Sequence, residues 1–347
     1  MALQDIYRRV AGAALASELR DWRTGAAPGD ALRIAGAAGS LPAFLLRALL
    51  DEDGPSGNGQ PVPLLAVTPD EDAAAYLRSD LDALLGEKSA AAVLHFPATG
   101  QTPYDDEQIA SSAPLTARAD VLQQLTGGFG GIVVTSAEAL FEKVPPPEGV
   151  QQDTLRIERG QTLAPERLVE RLNGQGFSRV EFVEEPGHLA RRGGILDVFP
   201  FSGEYPVRIE FFGDEIDGLR EFDPHTQRSV SRLTETRLVP NLEREDEEGE
   251  SGPRVPFFDY LPDAALAATF DEERLLEEAA ERFADAEKRH AEALGEREND
   301  GEPLPAPEAR YLPAGALQTQ IERPPRLLFG TFTGDVEAET LEANAHS

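Results

Sequence analysis

Residues 191–228 constrain the fold of this chain more than any other stretch. They read RRGGILDVFPFSGEYPVRIEFFGDEIDGLREFDPHTQR. Gly194–Phe199 is apolar and branched, and Ser202–Tyr205 has turn composition. Val207, Ile209 and Phe211 then alternate with Arg208 and Glu210, the period of a strand with one covered face. Gly213-Asp214 predicts a two-residue hairpin connection whose first residue needs a positive φ. Ile216, Leu219 and Phe222 continue into a third strand, closed by Asp223-Pro224. Three short strands on tight turns make a small sheet. Arg191 and Arg192 stand at its start and Arg208 on its polar side. A guanidinium hydrogen-bonds as a planar fork and stacks flat, which suits a partner surface.

The flanking sequence has a different rhythm. Leu3–Trp22 carries apolar residues at helical spacing and predicts one amphipathic helix. Beyond it, strands at 31–35, 64–68, 92–96 and 131–135 alternate with helices at 42–50, about 70–85, 115–125 and 137–141. Such repetition gives a parallel sheet with helices on both faces. We therefore expect an α/β domain over 1–150, ended by Pro145-Pro146-Pro147. A compact α+β domain over 151–238 follows. It begins with a strand at 154–158, a helix at 164–172 that has Pro165 in its first turn, and a strand at 177–183. Residues 239–347 form a third, mainly helical region. Its acidic run Glu243–Glu250 reads as a solvated loop, and 271–294 as a long helix with Leu275, Leu276, Ala279, Phe283 and Ala286 in one stripe. Residues 295–307 read as disordered, and 326–329 as a last strand.

Composition narrows the function classes. The chain has 347 residues and a formal charge of −31, from 63 acidic and 32 basic residues. A duplex-DNA binder needs a large positive face, because phosphate neutralisation drives its affinity. Lys88, Lys143 and Lys288 are the lysines. Strong acidity with few lysines also suits proteins of salt-loving organisms. Cysteine is absent, so there is no disulfide, thiol chemistry or cysteine-ligated zinc. No apolar run reads as a signal peptide or membrane span, and a cytoplasmic protein is expected.

Few motifs carry chemistry. Ile34-Ala35-Gly36-Ala37-Ala38-Gly39-Ser40 lies between a strand and a helix, the setting of a phosphate-binding loop. That loop needs a lysine to reach the β- and γ-phosphates, and the first lysine is Lys88. Pro42 also removes an N–H from the cradle. Gly36, Gly39 and Ser40 therefore read as a degenerate nucleotide loop, a tight strand-to-helix turn, and no cofactor is expected. Asp214, Glu215, Asp217, Glu221 and Asp223 crowd one hairpin, but strand alternation sends neighbours to opposite faces. They read as edge charges that discourage stray pairing, and no metal site is expected. The five histidines are scattered, and no Gly-x-Ser-x-Gly elbow occurs. No catalytic residue is expected. Arg179, Arg191, Arg192 and Arg208 fall on the small middle domain. Surface arginines commonly just cover apolar area with their stems, but a local arginine group runs against the trend of so acidic a chain.

The 191–228 stretch, with Pro103-Tyr104-Asp105, Arg118, Gly131–Thr135 and Ala139-Leu140 upstream, resembles the UvrB-like N-terminal module (domains 1a, 2 and 1b) of the bacterial transcription-repair coupling factors (Mfd), and is related to UvrB. The resemblance implies a P-loop-NTPase-like parallel sheet with a degenerate nucleotide site and an inserted small α+β domain. It implies that 239–347 packs back on the first region. It also implies a recruitment module rather than an enzyme, one that docks UvrA through domain 2. The family's docking arginine falls on Arg192. Arg191, Arg208, Arg179 and Phe199 extend that assignment by neighbourhood, and Phe199 is equally a core candidate. In the family, RNA polymerase and DNA are engaged by an ATP-driven motor further along, which this chain is expected to lack. Two alternatives stay open: a UvrB-type ATPase or helicase subunit, and a DNA-binding module.

Overall fold

A computed structural model of the chain describes residues 3–50, 62–86, 92–105, 112–242, 252–296, 304–330 and 339–342. The acidic run at 243–250 lies outside the described residues, as does 297–303 of the stretch expected to be disordered. The chain forms two compact units. One comprises 1–108, 127–143 and 255–347, and the other comprises 109–126 and 144–254.

The first unit begins with strands β1 (Ala31–Ala35), β2 (Leu64–Thr68), β3 (Val93–Phe96) and β4 (Ile132–Ser136). Every residue of β2 and β4 is buried, so both faces of these strands are covered, as in a parallel sheet sandwiched by helices. The second unit supplies β5 (Leu155–Glu158), β6 (Ser178–Arg179), β7 (His188–Arg192), β8 (Ile195–Val198), β9 (Val207–Phe212), β10 (Glu215–Phe222), β11 (Ser229–Leu233) and β12 (Glu235–Leu238). The chain then re-enters the first sheet with β13 (Leu266–Phe270), β14 (Arg326–Phe329) and β15 (Glu339–Glu342).

The large sheet has the order β15-β1-β14-β13-β2-β4-β3. All its neighbours are parallel. Leu32, Ile34, Leu64, Ala66, Ile132, Val134 and Leu327 pack on one side with Leu45, Leu46 and Leu81 of the covering helices. Residues 239–347, expected to be mainly helical, thus contribute three strands to this sheet, two of them between β1 and β2. The long helix Glu272–Glu296 does form, and buries Leu275, Ala279 and Ala286 of the expected stripe. The single helix expected over 3–22 is two, Leu3–Ala11 and Ala14–Gly25. Gly12 is a poor helix residue, and Ala13 is extended (φ −73°, ψ 155°). The apolar period runs across this break, so periodicity alone did not reveal it.

The second unit is built on a six-stranded sheet, β11-β10-β9-β8-β7-β6, with β12 paired to β5 beside it. Its central pairs are antiparallel. The hairpin expected at Gly213-Asp214 joins β9 to β10, and Gly213 has φ +64°. One face buries Leu189, Leu196, Val198, Val207, Ile209 and Leu219 against Leu168 and Leu172. These leucines lie on helix Pro165–Gly174, which Pro165 opens. Ala119, of helix Ser112–Thr126, joins the same core. The strand expected over 177–183 shrinks to Ser178–Arg179, and β7 extends the sheet where only a leading edge was read.

Candidate partner-docking face

Glycines shape the turn after β1. Gly36 (φ +74°) and Gly39 (φ +61°) occupy the left-handed region, and helix Leu41–Leu50 starts at once. Pro42 sits buried in its first turn. The strand–turn–helix setting is therefore real. The residues in it do not fit a triphosphate, because the turn supplies no ammonium group and Pro42 no N–H.

Polar residues at the carboxyl ends of β2, β3 and β4 gather around Glu71. Glu71 accepts from Ser136 Oγ (2.5 Å) and from the Ala98 N–H (3.0 Å). It lies 3.3 Å from His95 Nε2. Burial pushes the Glu71 pKa up, but the bonds from His95, Ser136 and Ala98 outweigh it and hold the carboxyl below its ordinary value. Ser136 also caps helix Ala137–Phe141 by accepting from the Ala139 N–H. It is buried, donates to a carboxylate and caps a helix, which is the bonding of a structural group. Thr99 Oγ1 likewise donates to Glu142 (2.7 Å). Sequence reading missed Glu71, whose only local signal was its place beside the capping Asp70 after a buried strand.

The second unit is arranged differently. Its six-stranded sheet has one face on the main core, and its other face carries the smaller cluster of Val183, Ala190, Phe199 and Phe222; strand alternation sorts the arginines between them. On β7, Leu189 and Arg191 share the core-facing side, while Ala190 and Arg192 share the other. Arg191 is paired with Glu166 at the start of the covering helix. Arg179 is exposed but stands in register with Leu189, at the edge of the covered face. The four arginines named from sequence therefore do not make one patch.

Arg208 is the most committed of them. Its Nε and Nη2 donate to Asp197 Oδ1 (2.6 Å) and Oδ2 (2.8 Å), and Nη2 also reaches Gln227 Oε1 (3.1 Å). The guanidinium carbon lies 4.5 Å from the centroid of Phe222. Its side chain is 16% exposed and that of Asp197 only 3%. The Asp197 bonds raise the guanidinium pKa further. Arg208 thus braces the sheet from within, which corrects its reading as a surface contact. For Phe199 the core alternative holds: it is buried with Val183, Ala190 and Phe222 in a small second core.

Arg192 remains available. Its side chain is 47% exposed, and its nearest carboxylate, Asp197, is 3.9 Å away and already gripped by Arg208. Its guanidinium carbon lies 4.5 Å over the ring of Phe182, which is 49% exposed. Two further arginines missed from sequence share this face. Arg208, Arg220 and Arg232 stand in register across β9, β10 and β11. Glu210 pairs with Arg220, and Arg232 is exposed. Their signal was present in the strand alternation, but it needed the register of β11 to be read. No group of three or more possible metal ligands occurs among the described residues.

Residues 155–243 match the UvrB interaction domain. The match holds the whole six-stranded sheet, so the resemblance read from residues 191–228 holds. The chain is also similar to transcription-repair-coupling factors. That of Bacillus subtilis is 32% identical over 210 residues, covering 60% of this chain and 17% of the relative. That of Myxococcus xanthus is 39% identical over 186 residues (52% and 15%). That of Escherichia coli is 26% identical over 319 residues (78% and 26%). The alignments thus span between 15% and 26% of the length of these relatives. No helix among the described residues is long and apolar enough to cross a membrane.

Proposed function

We propose that this chain is a UvrB-mimicking recruitment module of a transcription-repair coupling factor. Its UvrB interaction domain docks UvrA and so brings excision repair to a stalled RNA polymerase in the cytoplasm. The observation that carries this reading is the face of the six-stranded sheet opposite its main core. It displays Arg192 to solvent in a chain of net charge −31. Arginine with a neighbouring aromatic is the usual make-up of an interface hot spot. The large sheet serves as the scaffold that carries this domain, with Gly36, Gly39 and Ser40 as a vestigial nucleotide loop. We assign the chain no ATP turnover of its own, since it contains neither a phosphate-loop lysine nor an Asp-Glu-x-His box. Polymerase binding and translocation on DNA belong to other parts of the coupling factor.

A pull-down tests this. The parent chain is expected to retain purified UvrA, and Arg192→Glu to lose at least about tenfold of it, the cost of reversing a hot-spot charge. Equal retention by both removes Arg192 from the interface.

A further inference from the structure

We propose that Phe182 and Arg192 act as one composite anchor. It takes a carboxylate from the partner surface, and Phe182 fixes the guanidinium and shields the resulting ion pair. The inference rests on the docking reading above and goes a step deeper, to a residue that sequence reasoning passed over.

The turn that presents Phe182 is built and not incidental. The next residue, Val183, is buried against Ala190, Phe199 and Phe222. The N–H groups of Glu184 and Glu185 point at His188 Nδ1 (3.5 and 3.2 Å). The N–H of Gly187 donates to Phe199 O (2.8 Å). Gly187 has φ +86°, and a Cβ there would meet the Phe201 ring at 2.4 Å. A phenylalanine half in water on so fixed a turn has no core to fill. What it does contact is the Arg192 guanidinium, whose face it covers.

Arg192 is held in place without being satisfied. Asp197 lies 3.9 Å from it, beyond hydrogen-bond reach, with both oxygens already bonded by Arg208. The guanidinium is therefore oriented by a ring and by a buried carboxylate. A planar fork held this way matches a carboxylate in two parallel hydrogen bonds. The aromatic excludes water from that pair and strengthens it. Charge complementarity selects an acidic group on the partner.

The test is a double-mutant cycle on the full chain, with purified UvrA as the probe: Phe182→Ala, Arg192→Ala and both together. Phe182→Ala is expected to weaken binding about tenfold. The double variant is expected to bind within about threefold of Arg192→Ala alone, because contacting residues are not additive. Phe182→Trp should retain parent affinity, and Phe182→Leu, which keeps apolar area but no ring face, should lose most of the effect. If Phe182→Ala binds like the parent while Arg192→Glu does not bind, the composite anchor is wrong and the docking reading stands. If effects of the two single variants simply multiply, the coupling is absent and the anchor is again wrong. If the parent does not bind UvrA, the docking reading itself fails.

Discussion

The two sheets of this molecule treat their polar groups in opposite ways. In the large parallel sheet, β2 and β4 are buried on both faces, and the polar residues at their ends close on one another: Ser136 and His95 on Glu71, Thr99 on Glu142. In the small, mainly antiparallel sheet, one face is sealed by a helix and the other keeps arginine in water. The difference follows from topology. Parallel strands need crossovers, and those crossovers cover both faces. Antiparallel hairpins need none, so part of one face can stay exposed. A sheet of the second kind can both fold and present a partner surface.

The largest effect expected from this contrast concerns the brace beneath the arginine face. Arg208→Ala strands the buried Asp197 carboxylate, which costs about 3–5 kcal/mol. Segment-resolved hydrogen exchange should show the second unit losing protection while the large sheet keeps it. Equal loss in both units would mean that the two sheets do not hold independently. A smaller effect belongs to the large sheet. The Glu71 pKa lies below its ordinary value in the folded chain. Its contribution is therefore complete above the ordinary carboxylate range and is lost as pH falls through the lower folded value. Glu71→Gln should cost about 1–2 kcal/mol at neutral pH and flatten the acid limb of a stability–pH curve; parallel curves for parent and variant would contradict this. Smaller still is the loss of one helix cap. Asp70 accepts from the Ala73 N–H (2.8 Å) at the start of helix Glu71–Leu85, and Asp70→Ala should cost about 1 kcal/mol by urea denaturation. The smallest effect is none: MgATP should leave the melting temperature unchanged, because a ligand that does not bind cannot stabilise by mass action. A dose-dependent rise would restore the nucleotide loop and blur the contrast between the sheets.

Much of this was legible in the sequence, and the residues show where legibility stopped. Buried strands such as Leu64–Thr68, and the alternation of Val207, Ile209 and Phe211, are local signals and were read correctly. The absent lysine near Ser40 needed only the order of residues. Sequence spacing did not reveal that β13 and β14 lie between β1 and β2, because that pairing joins residues hundreds of positions apart. The docking face was legible in kind but not in membership. Arg191 and Arg192 are neighbours in the chain, yet the pleat sends them to opposite faces. Arg208 looks like a surface arginine until Asp197 is seen across the ladder. Phe182 gave no signal of its own, since an exposed phenylalanine is indistinguishable from a core one until its turn is built.

The central claim is that the Arg192 face of the small sheet is where this chain meets UvrA. Hydrogen exchange of the chain with and without saturating UvrA measures that directly. Protection should appear over residues 178–197, with the β2 and β4 amides unchanged. Protection confined to the large sheet, or none anywhere at saturation, would contradict the claim.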